Sequence, residues 1–218
     1  MNRMNLYRAV ILVSAGFIVW TILNRFVFDP QAADFLARKT DLARPLRMPA
    51  WLRVLDVHIA FACLAMLAGA LNFSNRLRIR NRRLHRAIGY AYAVSVLIVC
   101  ATSGYLAPYA TGGRAVSMAF NLLNLIWMFV TITAIIRARR KQIRLHRQWM
   151  VRSYAFCFTN LSIHLMENAL SRGFGLRYET AYAVSVYAAI VLLAAVAEFV
   201  NRRWFASAPD DKGDLTHA

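Results

Sequence analysis

Of the five histidines in this 218-residue chain, four lie in or at the start of apolar runs, where an ionisable ring is costly to keep and marks a functional site by default. His58 and His164 sit inside such runs. His85 and His146 open two others through the same tripeptide, Leu84-His85-Arg86 and Leu145-His146-Arg147. A membrane imidazole can ligate a metal, relay a proton or hydrogen-bond a neighbouring helix. Two neutral imidazoles on facing helices suit the axial positions of a haem iron. The fifth histidine, His217, stands in a polar stretch and reads as solvated.

Positioning these rings is a matter of membrane helices. The chain is 59% hydrophobic and its charges collect between long apolar runs, the pattern of a polytopic membrane protein. Six runs are long enough to cross the hydrocarbon, at residues 6–26, 51–72, 86–107, 115–136, 149–170 and 180–201. Backbone amides in lipid must be satisfied within the segment, so the runs are helices. The expected fold class is all-α, a bundle of six transmembrane helices over residues 1–203. Residues 204–218, rich in Ser, Pro, Asp and Gly, are expected to form a flexible cytoplasmic tail. Met1 to Leu23 has the charge and apolar run of a secretory signal, but the run is long and no small-residue cleavage site follows closely. It reads as a retained first helix.

A formal net charge of +17 raises the question of nucleic acid, and the placement of the charge answers it. Arg76, Arg78, Arg80, Arg82, Arg83 and Arg86 join the second and third runs; Arg137, Arg139, Arg140, Lys141, Arg144 and Arg147 join the fourth and fifth. Basic loops of this kind face the cytoplasm. Only Arg114 lies between the third and fourth runs, and only Arg172 and Arg177 between the fifth and sixth, as an outer face requires. The stretch 28–50 runs against the pattern, with Arg38, Lys39, Arg44 and Arg47, but it also holds Asp29, Asp34 and Asp41. Both termini are therefore expected in the cytoplasm. No soluble segment offers a basic and aromatic surface for nucleic acid, and the arginine loops are expected to meet anionic lipid headgroups.

This topology sorts the histidines into two depths. His58 and His164 lie roughly 10 Å below the outer surface by helix rise, while His85 and His146 share the inner level. His146 and His164 are eighteen residues apart, five turns of an ideal helix, which would put both on one face with Met150, Ser153 and Cys157 between them. Ala62, Ala65 and Gly69 follow His58 as a smooth stripe that admits a flat macrocycle or a neighbouring helix, and Gly89 after His85 has the same two readings. The sharp reading is two b-type haems, one between His58 and His164, the other between His85 and His146. The bland reading makes the inner pair interface anchors among arginines and the outer pair hydrogen-bonded packing residues. A proton or metal pathway is the third. Arg152, inside the fifth run, either snorkels to the inner surface or faces an anionic group such as a propionate.

Other polar residues point to a functional interior without naming it: Asp56, Asn121, Asn124, Asn160, Asn168 and Glu167, the last expected to meet Arg172 or water. Trp51, Trp149 and Trp204 suit an interfacial belt. Cys63, Cys100 and Cys157 follow no pairing or metal-binding pattern and read as packing residues. Phosphate loops, nucleophile elbows and zinc-protease motifs are lacking.

The run His146-Arg147-Gln148-Trp149-Met150-Val151-Arg152-Ser153-Tyr154-Ala155, with Leu84-His85-Arg86-Ala87-Ile88-Gly89-Tyr90-Ala91-Tyr92 and His58-Ile59, resembles the bacterial membrane proteins grouped as domain of unknown function 2306. The resemblance covers about Val54 to Leu170 and implies a multi-pass inner-membrane protein, with no biochemical activity attached. It puts His58, His85, His146 and Arg152 at motif positions, while His164 stands where the resemblance implies an arginine. Paired histidines at two depths are also similar in architecture to diheme b-type cytochromes.

Two function classes follow. One is a redox protein with haem b on paired histidines, exchanging electrons with a quinone or a redox partner. The other is a non-enzymatic membrane protein that assists assembly or binds a partner; a transporter stands third, since the two His-Arg openings are too short to be a repeat. Topology gives the first test. Reporter fusions after Arg83 and after Arg140 are expected to report cytoplasm, and a fusion after Gly112 the outside; a cytoplasmic Gly112 reverses both histidine depths.

Overall fold

A computed structural model describes residues 3–37 and 46–205, all helix and turn among the described residues. The helices are α1 (Arg3–Leu23, continued by a π turn Asn24–Phe28), α2 (Ala33–Ala37), α3 (Met48–Asn72), α4 (Asn75–Arg80) and α5 (Arg82–Leu106, continued by a 3-10 turn Ala107–Tyr109). They are followed by α6 (Gly113–Arg139), α7 (Ile143–Ala155), α8 (Thr159–Asn168) and α9 (Tyr178–Phe205). Among the described residues five helices are long and apolar enough to cross a membrane: Met4–Phe28, Met48–Asn72, Arg82–Tyr109, Gly113–Arg139 and Tyr178–Phe205. Their outer faces are apolar, with Leu12, Phe129 and Val191 each more than 60% exposed, as lipid-facing surface must be.

The expected fifth span is not one α-helix. A 3-10 turn at Phe156–Phe158 separates α7 from α8, and a π turn at Ala169–Gly173 ends the run. A 3-10 residue turns about 120° where an α residue turns 100°, so these three residues shift the helix phase by roughly 60°. The eighteen-residue spacing of His146 and His164 therefore does not keep the two rings on one face. The tail expected from residue 204 begins inside α9, and residues 206–218 lie outside the described residues.

Local chemistry sets the helix ends. Pro49 opens α3, where a missing N–H costs nothing. Ser74 caps α4 by accepting from Leu77 N–H, and Asn81 caps α5 by accepting from Leu84 N–H at 2.9 Å. Between α5 and α6 the chain reverses through Gly112 and Gly113 at φ +91° and +67°, where a side chain would be strained.

Successive long helices pack antiparallel, and polar contacts fix their registers. Tyr7 OH donates to Ala70 O and Arg25 pairs with Asp56, locking α1 to α3. His58 meets Thr102 across α3 and α5, His146 meets the Ala134 carbonyl across α6 and α7, and Asn201 donates to the Gln148 carbonyl across α7 and α9. The core runs through these contacts and includes Ala65, Tyr92, Val96, Leu123, Trp127, Tyr154 and Val186. Trp51 and Trp127 are buried, at 1% and 5% exposure, so Trp51 is no lipid-facing belt residue.

At Gly69 of α3 the rings of α5 and α7 come close. A Cβ there would stand 2.3 Å from Tyr154 Cδ2 and 3.2 Å from Tyr92 Cε2. The smooth stripe of α3 is thus covered by aromatic rings of the protein. Gly69→Ala is expected to cost about 1–3 kcal/mol by overpacking, read as a lowered thermal midpoint in detergent, and Tyr154→Leu to recover part of it. Gly16→Ala, with nothing within 4 Å, is the control and should be neutral or slightly stabilising.

Candidate functional site

The interior polar residues form a layer between α5 and α7. Tyr92 OH and Ser153 Oγ are 2.7 Å apart, and Ser153 Oγ is 2.7 Å from Thr131 Oγ1, which in turn donates to the Trp127 carbonyl at 2.7 Å. Ser153 is fully buried and Tyr92 and Thr131 nearly so. In a water-free interior each hydroxyl must find a partner, and the three satisfy one another. Thr131 brings α6 into the layer. Next to it, Tyr154 OH donates to the Met66 carbonyl at 3.1 Å and lies 3.0 Å from Ser14 Oγ, adding α1 and α3.

The Tyr92–Ser153 bond aligns α5 with α7 in parallel at an offset of 61 residues. His85 and His146 are also 61 apart, each seven residues before its partner in that bond (92−85 and 153−146). Seven residues is close to two turns, so the two rings occupy the same faces as Tyr92 and Ser153, about 10 Å nearer the arginine loops. They lie within electrostatic reach of each other. The structure thus brings His85 and His146 to one layer. Against backbone, α5 packs on α3 and α6, and α7 on α6 and α9, so side chains span the space between α5 and α7.

Each inner ring is oriented from behind. His146 Nδ1 is 2.8 Å from the Ala134 carbonyl, an acceptor only, so Nδ1 carries the hydrogen and Nε2 the lone pair. His85 is held by Asn72 at the end of α3, in the amide orientation that satisfies every partner. The reading of Gly89 is settled too. A Cβ there would meet the Asn72 side-chain amide at 3.1 Å, so a neighbouring helix uses the gap.

The outer pair is different. His58 Nδ1 is 3.0 Å from Thr102 Oγ1 of α5, whereas the His164 ring packs edge-on to Trp20 of α1 at 6.4 Å. His58 thus touches α5 and His164 touches α1. Glu167 accepts from Ser171 Oγ at 3.0 Å, not from Arg172, and is 5% exposed. Cys63, Cys100 and Cys157 are free thiols.

Arg152 points elsewhere again. It donates through Nε and Nη2 to Glu198 Oε2 of α9, at 3.1 and 2.9 Å, and its guanidinium lies 4.7 Å over the Trp149 ring. Six residues separate it from His146, which puts it roughly 120° away round the helix. Its charge is answered by Glu198, the one acid inside the last apolar run, whose isolation there was the signal. Asn72 and Tyr92 carried no such signal.

The donor set speaks to cofactor chemistry. Among the described residues no three His, Cys, Asp or Glu side chains gather to hold a bare metal ion. Two imidazoles in one layer are the ligand types a haem takes, the porphyrin filling the remaining positions of the iron. His146 fits as a ligand as it stands, because metal-bound histidine commonly donates its other nitrogen to a carbonyl. His85 fits when its Nε2 carries no hydrogen.

Long apolar helices joined by buried hydroxyls and interhelical ion pairs define a polytopic α-helical membrane protein. A family model described as predicted membrane protein (DUF2306) matches residues 55–201, and the chain belongs to that family. The match spans α3 to α9 and reaches beyond Leu170, leaving α1 and α2 outside it. Neither a curated protein nor a solved structure matches the chain.

The ion pair gives a direct test. Arg152→Leu leaves Glu198 without its cation in a half-buried setting, and Glu198→Leu does the converse. Both are expected to lower folded yield in detergent, and the double variant to lose less than the sum, with a coupling of about 0.5–3 kcal/mol. Arg139→Leu, at the exposed end of α6, should be neutral; equal losses for Arg139 and Arg152 would remove the argument for a structural pair.

Proposed function

We propose that the chain is a six-crossing protein of the bacterial inner membrane, with both termini cytoplasmic, that holds one haem b between His85 and His146 and passes electrons through it. The observation that carries this reading is the Tyr92–Ser153 bond, which sets the register in which the two imidazoles share a layer. The sixth crossing is the broken run from α7 through α8. Arg144, Gln148 and Arg152 of that run meet α9 at Phe205, Asn201 and Glu198 in turn, and α8 packs on α9 as well, as a full-length neighbour does.

Haem iron supplies a reversible one-electron change when bound. The residues do the rest: His85 and His146 ligate, the Ala134 carbonyl orients His146, and Arg86 and Arg147 beside the two histidines answer the propionate charge. Arg152 is committed to Glu198 and is not counted among the cofactor contacts. One haem is favoured over two because His58 and His164 address different neighbours. A quinone or a redox protein is the proposed electron partner. Anionic lipid headgroups are proposed at the arginine loops, where a hollow of about 450 Å³ combines Arg76 and Arg80 with Leu77 and Leu84.

The purified protein, expressed with ample haem, is expected to show a reduced-minus-oxidised α band of six-coordinate b haem. His85→Ala and His146→Ala should each abolish it, while His58→Ala and His164→Ala should leave it in place. A folded, colourless preparation that takes up no added haem overturns the redox reading and puts a non-enzymatic assembly or partner-binding role first.

A further inference from the structure

Asn72 inserts its side-chain amide into the first turns of α5. Its oxygen accepts from Gly89 N–H at 2.9 Å, while its nitrogen donates to the His85 carbonyl at 3.1 Å and reaches His85 Nδ1 at 3.2 Å. The Gly89 N–H decides the orientation, since a backbone N–H can only donate and the amide oxygen must face it. His85 carbonyl and Gly89 N–H are one i to i+4 rung of the helix, so a single amide reads that rung and the ring together. The absence of a Cβ at Gly89 is what admits it.

An amide N–H aimed at Nδ1 makes that nitrogen the acceptor, and the neutral ring then carries its hydrogen on Nε2. His146 has the opposite arrangement, imposed by the Ala134 carbonyl. The layer therefore places an N–H donor on α5 and a lone pair on α7.

We infer that Asn72 is the positioning residue of His85. In the haem-free chain it holds the ring as the Nε2–H tautomer, so only His146 is ready to ligate. Ligation through His85 would require the ring to lose the hydrogen at Nε2 to water and take one up at Nδ1, with no net change in protonation, against the amide N–H that Asn72 aims at Nδ1. Only then does His85 supply the second ligand. The tautomer rests on hydrogen bonding alone, whereas the step to a second ligand rests on the haem reading above.

The test separates the two. Haem-free protein labelled with ¹⁵N-histidine, in detergent at alkaline pH where the rings are neutral, is expected to show His85 with an acceptor Nδ1 and His146 with the reverse, assigned by His85→Ala and His146→Ala. Asn72→Asp, whose carboxylate accepts from both Gly89 N–H and an Nδ1–H, should switch His85 to the Nδ1–H form and tighten haem uptake severalfold. Asn72→Leu should leave His85 a mixture of tautomers. Gly89→Ala, whose Cβ would press on the amide at 3.1 Å while leaving Asn72 itself unchanged, should shift His85 the same way and covers the case in which an Asn72 variant fails to fold. An unchanged His85 tautomer in Asn72→Leu and Gly89→Ala overturns the positioning role. The expected tautomers in a chain that binds no haem overturn only the ligation step.

Discussion

A hydroxyl buried among membrane helices has no water to turn to, and the bundle is arranged round the consequence. Tyr92, Ser153 and Thr131 meet at 2.7 Å contacts from three helices, and no small sliding of α5 against α7 keeps all three satisfied. Leaving one of them unpaired would cost about 1–3 kcal/mol, a large share of any domain's stability. That cost makes the register discrete. Everything carried on the same faces, His85 and His146 included, is placed by it.

The same logic works outward from the centre. Between apolar helices in lipid there is little hydrophobic drive for association, so close packing and interhelical hydrogen bonds must specify neighbours. Here each kind has a visible instance. Gly69 gives up its side chain so that the Tyr154 ring can lie on α3, and Tyr154 then uses its hydroxyl to reach both Met66 and Ser14. Asn72 does at Gly89 what Tyr154 does at Gly69, entering where a Cβ is missing. At the margin, Arg152 and Glu198 tie α7 to α9 at half-buried depth, where the pair still feels solvent and orientation matters more than raw Coulomb energy.

Much of this was written openly in the chain. Five apolar runs became long helices because hydropathy and length are what a bilayer selects, and the repeated Leu-His-Arg tripeptide stands in the first turns of two helices, α5 and α7. The single face expected for His146 and His164 failed for a definite reason. Spacing arguments assume uniform 100° steps, and nothing in the composition of Phe156-Cys157-Phe158 announces a 3-10 turn. The small residues of α3 were legible as a surface of close approach, but composition could not say whether a ring of the protein or of a cofactor would fill it. Asn72 was hidden differently: at the end of an apolar run it looks like a helix terminus, and its role exists only once α5 has folded back beside α3.

That folding back also orders the site in energy. His146 takes its orientation from a backbone carbonyl of α6, a group that cannot change its hydrogen-bonding sense. His85 takes its orientation from a side-chain amide whose own sense is set by the Gly89 N–H. The layer therefore has an inherent asymmetry: one imidazole carries a lone pair at Nε2 and the other a hydrogen there. The arginine loops that flank both histidines in the sequence add charge to this end of the bundle without supplying such a distinction, since a guanidinium only donates. The asymmetry belongs to Asn72 and Ala134, two positions that neither titrate nor carry charge.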